Sequence, residues 1–191
     1  MFLCLLMMTI LEQTIQAEKT GVKSITLSLP MMNVLMWQGG NSFKMIYEEF
    51  LTLKGKDFKG RTLDDIWSFS DKEIEENHDF IQIIFPLNKP SQSVFHGYYL
   101  DSHDLVKRIK NNEEAVNNII KSSKWFFSFL ERNIYWNSQY NHNQLRITRV
   151  IECLRLLVSN EAADNFYNNI LKLIKDNNEV NMRTLNFWKN A

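Results

Sequence analysis

From residue 141 the chain reads NHNQLRITRVIECLRLLV, and two arginines in it stand where a helix should be half buried. With Arg146 as origin and about 100° per residue, Ile147, Val150, Ile151, Leu154, Leu157 and Val158 fall between roughly 20° and 140°. Leu145 and Leu156 form a second apolar strip near roughly 270°. Arg146 and Arg149 lie between the strips, and Thr148, Glu152 and Arg155 make the solvent-facing arc. A buried guanidinium without acceptors costs several kcal/mol. This helix must therefore meet a carboxylate, a run of carbonyls or an anionic ligand.

The rest of the sequence reads as helix. Only six glycines and three prolines occur in 191 residues, too few turns for an all-β sandwich. Helix starts are marked by short polar residues: Thr62 with Asp65, Ser70 with Glu73, Ser102, Asn112 ahead of Glu113-Glu114, Asn141 or Asn143, and Ser159 or Asn160. The spacing predicts one helix over 42–53 behind Gly39-Gly40 and one over 71–84, stopped by Pro86. A central core helix follows Asn112 and carries Trp125-Phe126-Phe127; a last helix covers 181–189. The fold expected is all-α, a compact single-domain bundle of about seven helices, with no strand ladder. Residues 1–32 form an N-terminal apolar segment and connector, and 33–191 the domain. The opening MFLCLLMMTIL is about half the length of a membrane span and has no basic residue before it, so a cytoplasmic product without a cleaved signal is expected.

Net charge is zero, which excludes a broad electrostatic grip on nucleic acid. Cys4 and Cys153 form no metal-binding pair, Lys54–Gly60 lacks a phosphate-loop frame, and no nucleophile elbow occurs. No metal, cofactor or catalytic residue is assigned. Polar residues instead line helix edges. Glu75, His78, Asp79 and Gln82 recur at i, i+3, i+4 and i+7, one stripe on a continuous helix. His142 and Asn143 open the arginine helix. The candidate ligand-binding residues are His78, Asp79, Gln82, His142, Asn143, Arg146 and Arg149. If the two polar edges pack together, Asp79 or Glu75 accepts from Arg146 or Arg149.

Four stretches carry a family resemblance. Residues 77–87, NHDFIQIIFPL, and 141–149, NHNQLRITR, resemble the two signature motifs of the opioid growth factor receptor conserved region. Gly60-Arg61-Thr62-Leu63-Asp64-Asp65-Ile66 and Arg183-Thr184-Leu185-Asn186-Phe187-Trp188 resemble the start and end of its short bacterial-type members. Phe80 stands where the family has Tyr, and Ile83 where it has Trp. The resemblance implies a receptor-like, non-enzymatic binding domain, recognising a peptide or small anionic group between the two motif helices. It also implies membrane association without a transmembrane span. The alternative is an enzyme using His78, Asp79, His142 and Arg146 for acid–base chemistry on a small substrate.

Overall fold

Short polar side chains start the helices. The computed structural model describes residues 46–91 and 97–191. Among them the elements are α1 (Tyr47–Leu51), α2 (Leu63–Trp67), α3 (Asp71–Glu76), α4 (Phe80–Ile84) and α5 (His103–Lys110). There follow α6 (Glu113–Arg132), a 3-10 turn (Ile134–Trp136), α7 (His142–Leu157), α8 (Asn160–Leu173) and α9 (Met182–Asn190). No strand occurs among the described residues. Thr62 and Ser70 each close a reciprocal capping box, with Asp65 and Glu73. Ser102, Asn112, Asn141, Ser159 and Asn181 each accept from a backbone N–H in the first turn of the helix they open. A cap of this kind contributes about 1 kcal/mol by satisfying a donor the helix leaves free. The expected segment 1–32, Gly39-Gly40 and the first positions of 42–53 lie outside the described residues.

The core is bulky and continuous. Phe80, Phe85, Phe126, Phe129, Trp136 and Trp188 are fully buried, and aromatic edges interlock through them. Helix α6 is its centre, packing against α1, α5, α7 and α8. Helix α7 packs on α5, α6, α8 and α9. Cys153 is wholly buried there, and burial pushes its thiol pKa up, as suits a small filler rather than a nucleophile. No described helix is long and apolar enough to cross a membrane.

Two expectations need correction. The second apolar strip of α7 is not uniformly buried: Leu145 is 76% exposed. The adjoining polar residues Asn143 and Gln144 are buried in its place. The Gln144 side-chain amide donates to the carbonyls of Trp136 and Ser138, and the Gln144 main-chain carbonyl accepts from the Trp188 indole, so the residue is bonded on both sides at that junction. The second correction is that residues 71–84 are not one helix. The backbone leaves the helical path at Asn77, and α4 restarts at Phe80. The carbonyls freed by that break are bonded from α7.

Candidate functional site

The break between α3 and α4 leaves main-chain carbonyls without helical donors. In a continuous helix, Ile74 O would accept from the amide of residue 78, and Asn77 O from that of residue 81. Arg146 takes those places. Its Nη1 donates to Ile74 O at 2.9 Å and its Nη2 to Asn77 O at 2.8 Å. Nη1 also donates to Asn143 Oδ1 at 3.0 Å, and the guanidinium lies 5.4 Å from the centroid of the Phe80 ring. Of the three kinds of acceptor the sequence allowed, the protein uses a run of carbonyls. The cation also sits at the C-terminal end of α3, where helix carbonyls favour positive charge. Burial pulls the Arg146 pKa down to about 10, with the nearby Glu75 charge opposing it, so the guanidinium stays protonated at neutral pH.

Arg149, one turn on, repeats the device more weakly. Its Nε donates to Phe85 O at 3.0 Å, at the C-terminal end of α4, and burial lowers its pKa. Each motif arginine therefore holds the end of one short helix.

The expected ion pair between the motifs is not the one that forms. Asp79 faces the loop before α2. It accepts from Arg61 Nη1 at 3.1 Å and forms an ion pair with Lys59. Arg61 also grips Asp57, through Nε at 2.7 Å and Nη2 at 2.6 Å. Asp57 accepts in addition from the amides of Lys59 and Arg61, closing a turn in which Gly60 takes φ +78°. Burial alone would raise the Asp79 pKa; Lys59 and Arg61 outweigh it and hold the carboxyl below its usual range. The sequence reading missed Asp57, Lys59 and Arg61 as partners. Asp57-x-x-Gly60-Arg61 was the available signal: a turn-forming carboxylate one helical turn before a cation.

Because the helix breaks, the stripe Glu75, His78, Asp79, Gln82 does not share one face. Gln82 is buried within α4, and Asp79 turns to the loop. Glu75 and His78 turn to α7. The His78 and His142 rings meet edge to face, centroids 5.1 Å apart. His142 Nε2 lies 3.3 Å from Glu75 Oε1, and Asn143 Nδ2 donates to Glu75 Oε2 at 3.0 Å. His78 Nδ1 lies 3.3 Å from Arg146 Nη2. Burial, then the Arg146 charge, lowers the His142 pKa against the opposing pull of Glu75. Glu75 is itself held below its usual range: burial would raise it, but Asn143, Tyr135 and the neighbouring cationic groups prevail. The Tyr135 hydroxyl, desolvated and bonded to Glu75, is pushed up to about 12.

Of the seven candidate residues, His78, His142, Asn143 and Arg146 come together. Asp79 and Arg149 do not join them, and Gln82 and Asn143 are enclosed. The His78–His142–Glu75 edge is open: His78 is exposed, and the His142 and Glu75 side chains are 38% and 28% exposed. Among the described residues no group of His, Cys, Asp and Glu has a metal-holding arrangement. Phe80 and Ile83, the two departures from the family motif, are both fully buried. Phe80 forms the floor under Arg146.

These features define a class: an all-α domain in which a buried arginine of one polar motif fills the broken helix of the other. The chain belongs to the family described as the opioid growth factor receptor (OGFr) conserved region, whose model matches residues 41–191. Comparison with curated proteins gives no match, and comparison with solved structures gives none either.

Proposed function

We propose that this domain is a non-enzymatic recognition module, and that its ligand-contacting edge is the surface formed by His78, His142, Glu75 and Tyr135. The observation that carries this reading is the spending of Arg146 on internal carbonyls. Its role is to hold the two imidazoles side by side at the surface, not to meet a ligand itself. Two imidazoles held edge to face at the surface, with a buried positive charge behind them, suit a small anionic group, and a peptide carboxylate is the natural carrier. Exposed Tyr135, Tyr140 and Leu145 nearby in sequence offer apolar contact for the rest of a peptide. Family membership points the same way, toward peptide reception. The enzyme reading would use the Glu75–His142 pair as orienting acid and base. The openness of that edge favours binding, because acid–base catalysis gains from a site that excludes water.

The test follows the histidine ring signals by NMR during titration with short peptides bearing a free or an amidated C-terminus. Free-carboxylate peptides should move both ring signals and raise the His142 pKa; amidated ones should do so far less. His78→Ala and His142→Ala should each abolish the response. Ring signals unmoved at millimolar peptide would end this reading.

A further inference from the structure

A second region of the molecule has the makings of a ligand site and owes nothing to the two motifs' polar residues. Helix α5 and the chain that leads into it form one wall of a cleft of about 530 Å³. Its floor is apolar: Leu100 and Val106, both buried, and the half-buried Leu156 of α7. The wall is pinned where the Leu100 amide donates to Leu87 O at 2.8 Å. A smaller cleft of about 340 Å³ adjoins it, sharing Asn88 and Leu156. Volumes of this order hold small organic ligands.

The charges on the wall are one-sided. Lys107 and Lys110 both line the cleft, three residues apart and therefore on one face of α5. Asp101 is the single carboxylate lining it, so the two lysines leave a surplus of one positive charge in a chain of zero net charge. The helix's other cation shows the contrast. Arg108, pointing away from the cleft wall, forks onto Glu48 with bonds of 2.8 and 3.1 Å. Neither Lys107 nor Lys110 has a carboxylate partner among the described residues, though like charges on one helix face repel. The end of a helix tolerates cations, but that does not account for two of them above an apolar floor.

The geometry points to a binding site for an amphipathic organic anion: a carboxylate or sulfonate head held by Lys107 and Lys110, with an apolar body over Leu100, Val106 and Leu156. This site is separate from the His78–His142 edge, and the two stand or fall independently.

The experiment uses the full chain and the fluorescent probe 8-anilinonaphthalene-1-sulfonate. Saturable binding should appear, competed by octanoate and not by octyltrimethylammonium. Lys107→Glu combined with Lys110→Glu should weaken it by about tenfold or more, the scale of one lost charge contact. Lys107→Arg with Lys110→Arg should retain it. His78→Ala and His142→Ala should leave it unchanged. Circular dichroism and thermal unfolding check that each variant keeps the native fold, since the probe also binds loosened states. Three results would each overturn the proposal: an affinity unaltered by the double charge reversal, equal competition by octyltrimethylammonium, or equal competition by inorganic phosphate. The last would mean that the apolar floor contributes nothing.

Discussion

The segment Asn77-His78-Asp79 is held from two sides by opposite chemistry. On the α7 side, one arginine meets neutral acceptors: the carbonyls of Ile74 and Asn77 and the amide oxygen of Asn143. On the loop side, Arg61 and Lys59 meet two carboxylates, Asp57 and Asp79. The first clasp is made of hydrogen bonds from a cation to main-chain and amide dipoles, with the His78 ring beside it. The second is an ion-pair network that lives only while its carboxylates are ionised. One segment thus carries a clasp built on dipoles and a clasp that acid dissolves.

The largest effect should come from Arg146. Removing it strands two buried acceptors and a half-buried third at once, so Arg146→Ala is expected to cost about 3–5 kcal/mol in urea unfolding. Arg146→Lys should recover little of this, because a lysine cannot fork between two carbonyls. A loss below about 1 kcal/mol would show that the carbonyls find other donors and that the break in the helix has another cause.

Arg61→Ala should cost less, about 2–3 kcal/mol. Asp79 keeps Lys59, and Asp57 keeps two backbone amides. A double-mutant cycle should find Asp79 coupled to Arg61 more strongly than to Arg146. The reverse order would mean that the two clasps act as one network.

Acid should separate the two sides. The folded Asp79 pKa lies below its unfolded value, so its stabilisation is present above pH ~4 and is lost as pH falls through the folded value. The His142 pKa is also depressed. The unfolded state then binds more protons below pH ~6.5, and stability falls from there down to the folded value. Unfolding midpoints measured from pH 7.5 downward should show both declines. Asp79→Asn should flatten the lower one and His142→Gln the upper. If Asp79→Asn leaves the acid limb intact, the loop-side network is not the acid-sensitive clasp.

The smallest effect belongs to the open edge. His142→Ala should change stability by less than about 1 kcal/mol at pH 7, because its contact with Glu75 is partly solvated. A larger loss would make His142 part of the clasp and weaken its assignment to ligand contact.

Much of the fold was legible residue by residue. Ser70 with Glu73, Thr62 with Asp65, and Asn112 ahead of two glutamates announce helix starts through local hydrogen bonds that need no distant partner. The demand of Arg146 for acceptors was legible too, since the cost of an unpaired buried charge does not depend on which group satisfies it. The site was legible only in part. His78, His142 and Arg146 do converge, but the periodicity of 71–84 gave no warning that their helix would break. Asn77, His78 and Asp79 are weak helix formers, but that alone does not set a break, and the donors that satisfy the freed carbonyls come from an arginine some seventy residues away.

What the sequence by itself determined is the set of local choices and obligations: helical periodicity, caps, and a guanidinium that must be bonded. What only the tertiary structure decided is the matching. It gave Arg146 to carbonyls and Asp79 to Arg61, buried Gln144 beside an exposed Leu145, and left Lys107 and Lys110 facing a cleft. The physical reason is that a charge fixes how much it needs, while packing of distant segments fixes who is near enough to supply it.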